Sequence, residues 1–173
     1  MKSIFKIFFA VSILLSACSP AEVEIQEPEK YAVIELDSSN QHLYQNTSPT
    51  NLKFYEIQLV EVIVKYAIAD HNQKERDDYQ RLLKYHPEWK DDPEHYIEGF
   101  DEYYCQYIPY INERGEKIVE VNCLCNVKYW NGEESVNNWR RDVIYVNDGG
   151  NCFFNLDVNL TLKTFAHLMV NGV

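Results

Sequence analysis

The sequence predicts an α+β domain: a long N-terminal helix packed on a curved four-stranded antiparallel meander sheet. Three observations predict it. Apolar residues recur at three- and four-residue spacing from Asn51 to about His71; from Glu102 onward β-branched and aromatic residues alternate at period two; and the second half is punctuated by the turn signals Glu113-Arg114-Gly115 and Asn147-Asp148-Gly149-Gly150.

In the helix, Ile57, Val60, Val64 and Ala67 form the stripe, flanked by Leu59, Ile63, Tyr66 and Ile68. A stripe that wide is buried against a sheet. Thr50 or Asn51 is the expected cap. A second, polar helix is expected from Gln73 to Tyr85, stopping before Pro87 because the residue preceding proline is pushed out of the helical region. Asp92-Pro93-Glu94 reads as a cap with proline in the first turn, opening a short helical piece to Gly99.

The expected strands are Tyr103 to Ile111 and Lys117 to Tyr129, then Trp139 to Val146 and Cys152 to Lys163, with Phe165 to Val170 prolonging the last. Gly115 stands third in a three-residue hairpin loop, where the backbone needs a left-handed residue. Alternation assigns the faces. Val119, Val121, Cys123, Cys125 and Val127 on one strand, and Cys152, Phe154, Leu156, Val158 and Leu160 on another, point to the core under the helix. Glu120, Asn122 and Asn126, with Asn155, Asp157, Asn159 and Thr161, belong to an opposite, wet face.

The first residues are built differently. Met1-Lys-Ser-Ile-Phe-Lys6 is a basic start, Ile7 to Leu15 an apolar run too short to span a bilayer, and Ser16-Ala17-Cys18 a small-residue cleavage site. Leu15-Ser16-Ala17-Cys18 resembles the lipobox of bacterial lipoproteins. The resemblance implies a signal peptide over residues 1–17, diacylglyceryl transfer to Cys18, and anchoring to a membrane of the cell envelope through the acylated terminus. Ser19 stands where aspartate often retains such proteins at the inner membrane, which tilts the expectation to the outer membrane.

Residues 18–49 are rich in Glu, Ser, Asn, Gln and Pro, with one apolar patch, Tyr31-Ala-Val-Ile-Glu-Leu36. They read as a lipidated flexible tether, either plainly disordered or carrying one added edge strand at 31–36. Residues 50–173 form the single domain. Loss of residues 1–17 removes Lys2 and Lys6 and no acid, so 16 basic residues become 14 against 27 acidic ones, and the net charge goes from −11 to −13. That balance disfavours nucleic acid and anionic lipid as partners, since neither is attracted at long range.

A second resemblance rests on Tyr104-Cys105-Gln106-Tyr107-Ile108-Pro109-Tyr110, Val121-Asn122-Cys123-Leu124-Cys125, Trp139-Arg140, Asn147-Asp148-Gly149-Gly150-Asn151-Cys152-Phe153-Phe154 and Val170-Asn171-Gly172. Over residues 50–173 the chain is similar to a group of small lipoproteins from Bacteroides-type bacteria whose domain resembles the cystatin-like or NTF2-like fold. This implies a helix on a curved antiparallel sheet and no established activity.

No catalytic, cofactor or metal motif stands out. Gln58-Leu59-Val60-Glu61-Val62 is the nearest string to an inhibitory cystatin loop, but it lacks the glycine and falls inside the amphipathic helix. Asp70-His71 make an imaginable acid-base pair, outweighed by a solvated helix end where a protonated histidine suits the dipole. Cys123-x-Cys125 is tighter than zinc spacing, and His86 and His95 lie nine apart around two prolines.

The register of a 113–115 loop sets Cys105 opposite Cys123, so those two can form a cross-strand disulfide, the alternative being four buried thiols. In a meander, Cys125 and Cys152 sit two strand spacings apart, roughly 9 to 10 Å, and stay free. The candidate binding face combines Asn122, Asn155, Asp157 and Asn159 with the aromatic residues Tyr104, Tyr110 and Trp130. The expectation is a non-catalytic binding or assembly module facing an envelope protein or glycan, against the alternative of an NTF2-like small-pocket enzyme or carrier.

Overall fold

The structure, a computed structural model, describes residues 30–89, 96–125, 127, 139–146 and 149–170. The fold is α+β. One helix, α1 (Phe54–Leu83), packs on a mixed six-stranded sheet of β1 (Tyr31–Val33), β2 (Ser48–Pro49), β3 (Tyr104–Ile111), β4 (Lys117–Leu124), β5 (Phe153–Asn159) and β6 (Thr164–Val170). The strand order is β1-β3-β4-β5-β6, with β2 also on β3.

This sheet corrects the expected four-stranded meander in two ways. Trp139 to Val146 is not a strand: β5 pairs directly with β4, and 139–146 crosses the sheet's second face instead. The apolar residues that gave it a strand-like pattern, Trp139, Val143 and Ile144, pack with Tyr104, Ile108 and Tyr110 of β3 and with the N-terminal segment. The sheet is also mixed, because β1 runs parallel to β3 while β2 is antiparallel to it. Residues 30–49 therefore belong to the packed domain, which corrects the tether from residue 30 onward. Ala32, Ile34, Leu36 and Tyr44 are buried there.

Pro109 shows why β3 accepts two short partners. The amide of Cys105 points outward to Lys30 O at 2.8 Å, so by alternation residue 109 faces the same edge. It falls between the partners of β1 (105–107) and of β2 (110–111), where no ladder donor is required.

The two expected helices are one. Neither glycine nor proline interrupts residues 54–83, and Asp70–Lys74, Gln73–Asp77 and Asp78–Arg81 contacts link successive turns. Thirty residues at 1.5 Å give about 45 Å, against roughly 25 Å for strands of seven or eight. The helix consequently overhangs the sheet: its buried residues, Ile57, Val60, Ile63, Val64, Ala67 and Ile68, all lie in the first half. The cap is Lys53, not Thr50 or Asn51. Its amide donates to Glu56 Oε2 at 2.7 Å, and the same carboxylate receives Lys117 Nζ, which ties the helix start to β4. The helix closes at Lys84, just before His86-Pro87.

Between α1 and the sheet lies the main core, with Val60, Val64, Val119, Val121, Phe154, Leu156 and Val158 at its centre. The hairpin β3–β4 has the three-residue loop 113–115, Gly115 at φ 76° and Cys105 opposite Cys123. These two cysteines are joined, with Cα atoms 4.3 Å apart. Cys125 and Cys152 are joined as well, Cα atoms 4.8 Å apart, which corrects the expectation that they are free. The reason is topological: once β5 lies beside β4, the Leu124–Phe153 pair places Cys125 and Cys152 next in register.

Candidate functional site

The second face of the sheet is a lattice of cross-strand rows. Gln106, Asn122, Asn155 and Met169 are partners in turn across β3, β4, β5 and β6; the next row is Ile108, Glu120, Asp157 and Ala166. Along the first row exposure climbs from 0% at Gln106 and 6% at Asn122 to 58% at Met169. One half of this face is covered and the other open, whereas the alternation alone predicts a uniformly wet face.

The cover is built from two segments whose apolar patterns do not reveal that they lie across the sheet. From the N-terminal side come Ala32, Ile34, Leu36 and Tyr44; from the other come Trp139, Val143 and Ile144. Gln106 fastens the second. Its amide nitrogen donates to the carbonyls of Trp139 and of Asp142 (2.7 Å for the latter), and its oxygen accepts from Ile144 N at 3.0 Å. Asn122 adds Nδ2 to Ile144 O at 3.2 Å. A buried amide satisfied in this way fixes its neighbours in one arrangement. Asn122 is thus a buried structural residue, a correction to its place on the exposed binding surface.

Where the cover stops, a cleft of about 320 Å³ opens, lined among others by Glu120, Asn155, Tyr145, Phe153, Leu124 and Met169. At its edge Tyr44 Oη stands 3.3 Å from Tyr145 Oη, and the Tyr44 phenol lies beside the Glu120 carboxyl. Burial raises the Glu120 pKa; hydrogen bonds from Tyr44 and Asn122 oppose this, the facing Asp157 adds to it, and the net direction is upward. The phenols of Tyr44, Tyr110 and Tyr145 are likewise raised, first by burial and further by the neighbouring carboxylates.

β6 carries a bulge opposite this row. Between the Asn155–Met169 and Asp157–Ala166 pairs it has two residues against one, and His167 takes the left-handed conformation at φ 55°. The extra residue lets the His167 ring reach Asp157, Nδ1 to Oδ2 at 2.8 Å. Bulges re-aim side chains in this manner.

The other predicted site residues are scattered. Tyr104 packs edge-on to Trp139, and Tyr110 stacks at a tilt on Tyr44. Asn159 holds the β5–β6 turn, accepting from Leu162 N at 2.9 Å. Trp130, Asn126, His95 and Cys18 lie outside the described residues. Asp70 and His71 are not at a helix end: α1 continues to Leu83, and Asp70 is engaged by Lys74 at 2.6 Å. Gln58 to Val62 sit within α1, and His86 stacks on Trp89. Cys105, Cys123, Cys125 and Cys152 are all in disulfides, and among the described residues no group of three or more His, Cys, Asp or Glu could hold a metal. Glu120 stood among the wet-face residues without being singled out; Gln106 and Tyr145 could be found only by knowing what lies over them.

Comparison with protein families, curated proteins and solved structures finds no match to this chain.

Proposed function

We propose that this chain is a lipid-anchored lipoprotein of the cell envelope whose domain is a non-catalytic binding module, with the open half of the second sheet face as its working surface. The observation that carries the reading is the cleft at Glu120, Asn155 and Tyr145, which gathers a carboxyl, an amide and a half-exposed aromatic ring at the border of a rigid cover. The helix side of the sheet, by contrast, is closed by apolar side chains. An NTF2-like enzyme cavity between helix and sheet finds no support there, although one long helix across a largely antiparallel sheet accords with a cystatin-like or NTF2-like arrangement.

The anchor rests on Leu15-Ser16-Ala17-Cys18, and the outer membrane on Ser19. Among the described residues no helix is long and apolar enough to cross a membrane, which is compatible with anchoring by lipid. The partner is an envelope protein or a glycan.

The experiment is a pull-down from solubilised envelopes with the palmitate-labelled chain. Asn155→Ala with Asp157→Ala should abolish capture and leave folding intact, since neither side chain serves the core. Cys18→Ser should abolish the label. Capture that persists in the double variant, or label that persists without Cys18, contradicts the corresponding half of the proposal. A second reading, a small-pocket enzyme, draws on the Asp157–His167 pair; it gains if His167→Ala abolishes turnover of a substrate that the double variant still binds.

A further inference from the structure

We infer that the cleft takes an amino sugar, its protonated amino group seated at the Glu120 carboxyl and its ring against Tyr145; this rests on the binding reading above. Register is the first support. Glu120 and Asp157 are directly opposed partners on β4 and β5. Like charges in that position destabilise a sheet. Among the described residues no lysine or arginine pairs with either one; Asp157 has only His167, on the exposed β6 edge. The free protein thus keeps two facing acids, one of them lining the cleft, with no lysine or arginine against them among the described residues.

The cleft's shape and lining select the rest of the ligand. Its volume of about 320 Å³ lies at the small end of the range for small-ligand sites and admits a sugar ring. Phe153, Leu124 and Met169 supply apolar surface, and Tyr145, 57% exposed, supplies an aromatic face for the ring's C–H side. Asn155 offers an amide for ring hydroxyls. An ammonium is the group that turns the Glu120–Asp157 juxtaposition from a cost into an attraction, and a charge-assisted hydrogen bond is about twice as strong as a neutral one.

The test is a titration of the isotope-labelled full chain in detergent micelles with D-glucosamine, D-glucose and N-acetyl-D-glucosamine at about pH 6, where a free amine is protonated. Glucosamine should shift the amide signals of Glu120, Phe153 and Asn155 saturably and bind about tenfold tighter than the other two. Glu120→Gln should bring it down to their level, with Asp157→Asn giving a smaller loss, and added salt should weaken it. Equal binding of all three sugars in the cleft overturns the ammonium assignment while leaving the binding face in place. No shift with any of them, or glucosamine shifts unchanged in Glu120→Gln, overturns it as well, and the pull-down then decides the binding face separately.

Discussion

Gln106 and Glu120 are two polar side chains on the same face of adjacent strands, and their different surroundings give them opposite consequences for stability. Gln106 is fully enclosed and fully satisfied by the backbone of residues 139–144. Gln106→Leu leaves two carbonyls and one amide without that partner, so unfolding free energy should fall by about 2–4 kcal/mol in urea denaturation. A loss under about 0.5 kcal/mol, the level of an ordinary surface change, would mean that the cover is held by its apolar contacts alone. Glu120 has a raised carboxyl pKa. Its contribution is therefore present in full below the ordinary glutamate range and is lost as pH rises through the raised value. Glu56 behaves oppositely: burial raises it, but Lys117 and the Lys53 amide more than compensate, so its contribution exists above the ordinary range and is lost as pH falls through the lowered value. Glu120→Gln should accordingly stabilise the protein near neutral pH, by about 0.2–1 kcal/mol for relief of a like-charge cross-strand pair, with the gain vanishing near pH 4. A destabilisation of the same size at neutral pH would show that Tyr44 needs the charged form. None of this was legible in the alternation, which places Gln106, Asn122 and Glu120 on one face and is silent on what covers them.

At the level of elements, the sequence was most readable where burial is one-sided. The helical stripe of Ile57, Val60, Val64 and Ala67 and the β4 and β5 positions facing it are all in the main core. The strands framed by a true turn, β3 and β4, have the register that Gly115 requires. Residues 139–146 misled because period two marks any extended segment with one apolar side, whether it joins a sheet or lies across one. Strand β1 was ambiguous for a related reason: three residues that take a parallel partner 74 positions away leave little local signature. The bulge in β6 was also hidden, since histidine is no marker of left-handed backbone. A non-glycine residue pays about 1 kcal/mol for that conformation. His167→Gly should recover part of this cost and raise the melting temperature slightly while removing the ring from Asp157. A clear fall in melting temperature instead would show that the Asp157 contact outweighs the strained backbone.

For the whole molecule, the fold joins two unequal cores on one sheet: a dry helix-side core and a smaller one that covers half of the second face. The disulfides reinforce this arrangement at one end. Cys105–Cys123 staples β3 to β4, and Cys125–Cys152 closes the chain that carries the cover, a loop of a size for which cross-linking is worth about 3 to 4 kcal/mol. The even number of downstream cysteines was readable from the sequence, but the partner of Cys125 depended on strand order, which composition does not encode. The open half of the second face is left as the place where polar and aromatic groups meet without serving either core. The most direct measurement is site-specific photo-crosslinking in intact cells, with a diazirine side chain at Met169 on the open face and, as controls, at Leu82 on the helix overhang and Tyr85 just beyond it, both exposed positions that do not line the cleft. A discrete adduct is expected from position 169 that disappears with Asn155→Ala and Asp157→Ala, and none from 82 or 85; a discrete adduct from 82 or 85 with none from 169 would contradict the binding-face reading.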